Sequence, residues 1–213
     1  MARLPEYDRT EVLEAALHLF WRDGYESTTI EKLLEAMQLN RGSLYAAFGD
    51  KEGLFRNVMD GYGRYQSVIM RSNLTGKDEP IEAIRCFLED FALHEGAEIR
   101  ERGCLAFNTI AELSHTRPQL AEKASKQVGL LRRLFIKRLE QASKLGLIRV
   151  DKTAGELADY LVTLASGLRM HCKIKTEPAI MREIINLGLG VLAVPADKQP
   201  ADKQPVDKQA YIQ

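Results

Sequence analysis

The chain of 213 residues lacks any long apolar run, so we expect no membrane-spanning segment. Its N-terminal stretch, MARLPEYDRTEV, has no apolar segment of signal-peptide length, so we expect no export. Cysteine is scarce: the three cysteines stand far apart, which favours a reducing cytoplasm and excludes a disulfide framework and a CxxC metal site. These absences predict a cytoplasmic protein without covalent cross-links.

The sequence signatures of enzymes are missing as well. No nucleophile motif, paired-carboxylate signature or phosphate-binding loop appears, so we expect no catalytic residues, no cofactor and no metal. His171 stands beside Cys172, but no third metal ligand is near in sequence. Only a cleft with converging titratable groups would revive an enzymatic interpretation.

An excess of positive charge is also lacking. The chain carries 30 basic and 30 acidic side chains, and its first 60 residues carry 7 basic against 11 acidic ones. Nucleic-acid-binding proteins are often basic, so this balance counts mildly against DNA binding. A DNA-binding interpretation therefore needs a few well-placed cations, with the acidic side chains facing away from the DNA; these are Glu11, Glu14, Glu31 and Glu35.

What the sequence does contain is helical periodicity nearly throughout, with glycine and proline between the periodic segments. We expect an all-α fold of about nine helices. Asp8 is expected to cap a first helix to about residue 23, and Thr28 a second, with Glu31 completing its capping box. The other helices are predicted at about 41–48, 50–73, 81–96, 104–114, 119–145, 153–175 and 178–193, with a polar turn at GAEIRERG.

Residues 28–48 form a helix-turn-helix candidate, in which two short helices are joined by a tight turn. The second of these helices is about 12 Å long, which is close to the width of the DNA major groove. Leu44 and Phe48 point inward at helical spacing, whereas Gly42 and Ala46 point outward. An outer face this bare lets the backbone approach base edges. The plainer alternative is a capped helical corner in an enzyme or a bundle.

The caps beside this helix suit phosphate binding. Asn40 is expected to orient the start of the helix, and Asp50 to cap the next one. The free N–H groups of that next helix attract a phosphate, and Lys51 adds a positive charge at its first turn. Arg41 and Lys51 are thus the expected phosphate-binding cations.

Residues 8–60 contain the consecutive segments ALHLFWRDGYESTTI and EKLLEAMQLNRGSLYAAFGDKEGLF. With these segments the region resembles the DNA-binding domain of the TetR family of bacterial regulators. The resemblance implies a three-helix reading head and a C-terminal domain that receives a ligand or signal and dimerises. It implies phosphate contacts by Thr29, Tyr45 and Lys51, and positions along the groove for Arg41, Gly42, Ser43 and Ala46. One departure is Gln38, where the family often has glycine in the turn; a positive φ there would cost some strain.

The predicted domains are residues 1–60 (helix-turn-helix domain), 61–194 (helical regulatory and dimerisation domain) and 195–213 (tail). The tail repeats PADKQ, offers no core-forming residues and is expected to be disordered. The last helix before it is apolar on more than one face, so a partner must cover it. A four-helix interface across a two-fold axis would do so.

Cys104 is the candidate for receiving a signal. It follows Arg100 and Arg102 and opens a predicted helix; both features favour the reactive thiolate form. Burial as a small core residue is the alternative. Other candidates for a pocket among the C-terminal helices, whose apolar members also suit a plain core, are Phe91, His94, Phe107, Asn108, Tyr160 and Arg169.

The sequence therefore predicts a cytoplasmic homodimeric repressor that binds a pseudo-palindromic double-stranded operator. Release would follow binding of a small molecule or modification of a thiol. The alternative is a structural DNA-binding protein of the nucleoid-occlusion type that uses the same head without an inducer. A well-formed internal pocket would separate the two, because only the regulator needs one.

Overall fold

The computed structural model of the protein describes residues 7–75, 79–94 and 96–193. All regular structure in these ranges is helical, so the all-α prediction is confirmed. The repeat tail at 195–213 lies outside the described residues. The helices are α1 (Arg9–Asp23), α2 (Ile30–Met37), α3 (Arg41–Phe48), α4 (Lys51–Thr75), α5 (Pro80–Glu89), a π-helical segment (Asp90–His94), α6 (Ala97–Glu101), α7 (Leu105–Leu113), α8 (Pro118–Lys144), α9 (Ala154–Lys173) and α10 (Pro178–Gly190).

Most helix ends agree with the sequence, but the stretch around residues 90–101 differs. The fifth helix was expected to continue to about residue 96, whereas α5 ends at Glu89 and a π-helical segment follows. The polar turn expected in GAEIRERG is wrong, because Ala97–Glu101 forms the short helix α6. This helix accounts for the tenth α-helix where the sequence predicted about nine.

Side chains from other helices satisfy the carbonyl groups of the π-helical segment. Arg169 of α9 donates to the carbonyl of Phe91 at 2.7 Å, and the Cys172 thiol donates to that of Ala92 at 3.4 Å. Arg100 of α6 donates to the carbonyl of Leu93 at 3.1 Å. These carbonyls lie in the last turn of the segment, where no further helical residue follows to pair with them. Other elements supply the donors, which joins α6 and α9 to the end of the α5 segment.

The three helices at the N-terminus enclose a small core. Asp8 caps α1 and Gly24 ends it, as expected. The predicted cap of α2 is wrong: Thr29 accepts the N–H of Lys32, whereas Thr28 is fully buried and donates to the carbonyl of Gly24 at 2.6 Å. Burial decides between the two threonines, because an enclosed hydroxyl must find a partner inside the fold.

The long helix α4 belongs to both parts of the molecule. Its first turns bury Leu54, Phe55 and Val58, and its later turns bury Met70 and Leu74. At about 1.5 Å per residue it runs for roughly 37 Å. Residue 60, the expected domain boundary, lies inside this helix rather than in a loop.

Helix α8 is the centre of the C-terminal part and packs against α4, α5, α7 and α9. Phe135 and Leu139 of α8 are completely buried, and Phe87 of α5 meets the Phe135 ring edge-on at 5.5 Å between centroids. Within the described ranges, no helix is both long and apolar enough to cross a membrane.

Candidate nucleic-acid interface

Helix α3 presents a nearly bare outer face. Gly42 and Ala46 are exposed, Tyr45 is 42% exposed beside them, and Ser43 is half-buried. On the opposite side Leu44 and Phe48 are buried in the core of the first three helices. The expected orientation of α3 is therefore confirmed, and its exposed face carries one phenol and very little other bulk.

The ends of α3 are fixed by local hydrogen bonds. The Asn40 side chain accepts the N–H of Ser43 at 2.8 Å, as the sequence predicted. The turn before it contains Gln38 at φ 52°, so a non-glycine residue occupies the left-handed conformation and the expected strain is present. The Asp50 carboxylate accepts the N–H of Gly53 at 2.7 Å and caps the start of α4.

Arg41 carries a carboxylate partner. Its guanidinium contacts Glu31 of α2 at 2.6 Å, so Glu31 lies beside a residue predicted to bind DNA. The pKa of Glu31 is held below its usual range mainly by a hydrogen bond from its own backbone N–H. The Thr29 hydroxyl and Arg41 lower this pKa further, in that order. Both partners are largely exposed, and ion pairs in that setting are weak, so a phosphate can take the place of Glu31.

Lys51 lies against an aromatic ring rather than extending freely into solvent. Its ammonium is 4.4 Å from the ring centroid of Tyr25, and Arg117 approaches the same ring at 5.2 Å. Burial is the main cause that lowers the pKa of Lys51. The half-buried stem fixes where the ammonium lies at the first turn of α4, which suits a point contact with one phosphate.

Arg9 is a residue that the sequence analysis did not identify. Its guanidinium lies 4.8 Å from the ring centroid of Phe48 and donates to Asn57 at 3.0 Å. It thereby joins the starts of α1 and α4 to the end of α3. A lone arginine beside a helix cap has no sequence signal that distinguishes it from a solvated surface residue.

The predicted pocket residues are only partly brought together. Phe91, Cys104 and Phe107 line one narrow cavity whose water-accessible volume is about 10 Å³, roughly the space of one water molecule. Two further lining residues, Tyr62 and Gln66, come from α4 and were missed. Tyr62, Gln66 and Met70 follow one another at intervals of four residues, which places them on one face of α4. A glutamine on that otherwise apolar face was the signal in the sequence that could have identified them.

Polar groups face this cavity at several points. The Tyr62 hydroxyl is 3.4 Å from the Cys104 sulfur, and Cys104 is the N-cap residue of α7 and only 6% exposed. Gln127 donates to the carbonyl of Met59 at 3.0 Å, while its amide oxygen is buried without a hydrogen-bond partner within the described residues. The expected position of Cys104 at the start of a helix is confirmed.

The other pocket candidates lie elsewhere. Asn108 donates to the carbonyl of Arg102 and lines an open groove between α1 and α7. Tyr160 lies at the seam of α9 with α10, where burial raises its pKa. Arg169 lies 4.6 Å from the Phe91 ring centroid while bonding to the Phe91 carbonyl, so it is a structural tie. The side chain of His94 lies outside what the structure describes.

The arginines near Cys104 are engaged with other groups. Arg100 donates to the carbonyl of Leu93, and Arg102 contacts the Nδ1 atom of His18 at 2.7 Å. The structure therefore offers Cys104 a hydroxyl neighbour and a helix start. In the part of the chain that the structure describes, no group of three metal-ligating side chains comes together.

Comparison with sequence families gives two matches. The family described as "Bacterial regulatory proteins, tetR family" matches residues 12–58. The one described as "Tetracyclin repressor-like, C-terminal domain" matches residues 80–187, about half of the chain.

Several characterised proteins are similar over most of their length. The HTH-type transcriptional repressor ComR of Escherichia coli is 27% identical over 168 residues, which cover 78% of this chain and 80% of ComR. The HTH-type transcriptional repressor AcnR of Corynebacterium efficiens is 27% identical, covering 86% of this chain and 91% of AcnR. A solved structure of CifR, a TetR family regulator complexed with 26-base-pair operator DNA as a cysteine mutant, is 30% identical with a TM-score of 0.79, covering 88% of this chain and 98% of that chain.

The bare face of α3 can be tested by adding bulk to it. We expect Ala46→Leu to weaken binding of operator DNA by roughly tenfold or more, because the added side chain holds the backbone away from base edges worth about 1–3 kcal/mol each. Ala46 is a better site than Gly42, where a Cβ would already lie 3.3 Å from the Asn40 cap. Band-shift titrations at fixed salt measure the change. Ser125→Leu on the exposed side of α8 is the matched control, and equal affinities of both variants would contradict the assignment.

Proposed function

The chain belongs to the TetR family of bacterial regulators, and we propose from this premise that it is a homodimeric repressor that leaves its operator when the C-terminal part receives a signal. It is a DNA-binding transcriptional regulator, not an enzyme. The observation that carries the proposal is the bare outer face of α3, fixed by the Asn40 cap and backed by Leu44 and Phe48.

The proposed division of labour follows the helices. Residues 1–60 form the reading head, residues 61–194 receive the signal and dimerise, and residues 195–213 form a tail that neither part needs. Phosphate groups of the DNA are the proposed contacts of Thr29, Tyr45 and Lys51. The residues proposed to lie along the major groove are Arg41, Gly42, Ser43 and Ala46. Thr29 caps α2 in the free protein, so its phosphate contact would use the same hydroxyl in a second role. The proposed place of action is the cytoplasm.

Selection of bound fragments from the source genome tests the function. Two heads related by a two-fold axis should select a pseudo-palindrome whose half-sites lie about 34–36 Å apart or a multiple of that distance. The protein should bind the selected site with an affinity about 10³-fold or more above its affinity for random DNA at physiological salt. Recovery of fragments without a shared inverted repeat would contradict the proposal.

A surface on α10 supports the proposed dimer. Ile180 is 50% exposed, Leu187 70% and Val191 39%, although all three are large and apolar. Such a stripe on one helix is covered in an oligomer more often than it is left in water. Leu189 and Leu192 belong to the opposite side, being 6% and 1% exposed in the protein's own core. They are therefore poor probes of an interface, because changing them damages the fold first.

We expect Leu187→Glu to shift the protein from dimer to monomer, because it places a charge in an apolar contact. Sizing with light scattering at micromolar protein measures the shift. Val68→Glu on α4, where Val68 is 66% exposed, is the control and should remain dimeric. A wild-type monomer, or a dimeric Leu187→Glu protein of normal melting temperature, would refute this surface.

The narrow cavity at Cys104 bears on the proposed signal. Its water-accessible volume of about 10 Å³ leaves no room for an organic ligand unless side chains move. A covalent adduct on Cys104 would force such movement, because the sulfur contacts Tyr62 of α4 at 3.4 Å and α4 continues into the head. Thiol modification is therefore the first proposed route to release from the operator. The second is a small-molecule inducer that binds by opening the same cavity.

We expect N-ethylmaleimide to alkylate Cys104 and to release operator DNA. The thiol adds across the maleimide double bond, so the adduct cannot fit the cavity without displacing Tyr62 or Gln66. Mass spectrometry of the native protein and band shifts measure both effects, and Cys104→Ser should bind DNA but resist release. Cys86→Ser is the control, since Cys86 lies on α5 outside the cavity. Release from the Cys104→Ser protein would exclude the thiol route.

The small cavity also favours a second candidate, a structural DNA-binding protein of the nucleoid-occlusion type. Such a protein needs no internal pocket and no reactive thiol. An unmodified Cys104 in the native protein, together with broadly distributed genomic binding sites, would support this candidate over the inducible repressor.

A further inference from the structure

Glu112, in the last turn of α7, contacts the reading head from outside it. Its Oε2 atom accepts the backbone N–H of Tyr25 at 3.0 Å, and its Oε1 atom accepts the N–H of Glu26 at 2.8 Å. One carboxylate thus binds two successive N–H groups between α1 and α2. Both bonds are charge-assisted, which makes them stronger than bonds between neutral groups.

The chain at this corner is shaped to receive the carboxylate. Gly24 has φ 83°, and a Cβ atom there would lie 3.0 Å from Oε2 and 3.1 Å from Oε1 of Glu112. Thr28 closes the corner by donating to the Gly24 carbonyl at 2.6 Å. The corner 24–28 is therefore a compact loop with Glu112 at its surface, and the cap of α2 follows directly at Thr29.

Helix α7 is attached to the head at its other end as well. The indole N–H of Trp21 in α1 donates to the carbonyl of Gly103 at 3.2 Å, just before α7 begins. Trp21 also packs edge-on against Tyr62 of α4 at 5.3 Å between ring centroids. With one attachment near each end, α7 restrains the position and the tilt of α1, which itself packs on α4 and α2.

A neighbouring contact is weaker than the one made by Glu112. Arg117 contacts Glu26 at 3.1 Å, but the two side chains are 42% and 48% exposed, so water and salt compete for the pair. Glu112 is itself solvent-accessible, yet its partners are backbone N–H groups that the corner already holds in place. Forming these bonds therefore costs no conformational entropy of a partner side chain. Glu112 is thus the side chain that binds the backbone of the corner, whereas Arg117 contacts side chains there, namely Glu26, Glu52 and the Tyr25 ring.

We propose that Glu112 is a positioning residue for operator binding, which holds the corner 24–28 and thereby sets the spacing of the two heads in the dimer. The proposal rests on the proposed function, because head spacing matters only for a protein that reads two half-sites. Glu112 touches no DNA itself. Its effect is on which half-site separation the dimer accepts.

The test compares two operators in band-shift titrations. One is the site selected by the wild-type protein, and the other carries two extra base pairs between its half-sites, which turns one half-site by about 70°. Loss of stability alone lowers the active fraction equally on both, so the ratio of the two affinities reports positioning. Amide hydrogen exchange at Tyr25 and Glu26 is measured alongside.

Glu112→Gln keeps one acceptor and directs an NH₂ group at a backbone N–H. We expect it to reduce the preference for the selected spacing by roughly three- to tenfold, as for loss of one charge-assisted hydrogen bond in a partly solvated site. Glu112→Ala should reduce it further. Exchange should accelerate at Tyr25 and Glu26 and stay unchanged in α8. Glu122→Gln is the control, since Glu122 pairs with Lys126 on the exposed side of α8.

The outcomes separate the two proposals. A wild-type protein that selects no DNA overturns the proposed function, and the role of Glu112 falls with it. A wild-type protein that discriminates the two spacings, with both variants keeping the same ratio, overturns only the positioning role. Unchanged exchange at Tyr25 and Glu26 in both variants also overturns it, because the two hydrogen bonds would then not limit the opening of the corner.

Discussion

The structure depends on one continuous helix that is buried in two cores. Leu54 and Phe55 of α4 lie in the core of the head, and Met70 and Leu74 of the same helix lie in the core of the C-terminal part. Because both cores are built on one continuous helix, a displacement of α4 in one core also moves residues of the other. The contacts of α7 add a second connection beside the first. Two separate attachments resist rotation of the head, which a single helix could not do.

The sequence predicts much of this arrangement because helical periodicity and caps are local signals. The cap at Asp8, the stop at Gly24 and the inward side of α3 follow from the spacing of a few neighbouring residues. The choice between Thr28 and Thr29 does not, because it depends on which hydroxyl the folded chain encloses. The left-handed Gln38 was predictable only by resemblance, since nothing in the residue itself favours that conformation.

Long-range polar contacts were the part that the sequence could not predict. The contact of Glu112 with the corner after α1 joins residues more than 80 positions apart, and no periodicity records such a pairing. The same holds for the bonds of Arg169, Cys172 and Arg100 to the π-helical segment. Of these three residues, Arg169 was a candidate for a ligand pocket in the sequence. In the structure its hydrogen bond to the Phe91 carbonyl accounts for its burial.

The pairing of Arg41 with Glu31 bears on the DNA contact that is proposed for Arg41. A cation that already has a carboxylate beside it exchanges one anion for another when it meets a phosphate, so fewer condensed counterions are released for each contact. Counterion release supplies most of the affinity for arbitrary sequence, and a head with 7 basic and 11 acidic residues in its first 60 gains little of it. Under the proposed function, such a head would spend a smaller share of its time on unrelated DNA, and shape and base contacts at the operator would determine where it stays.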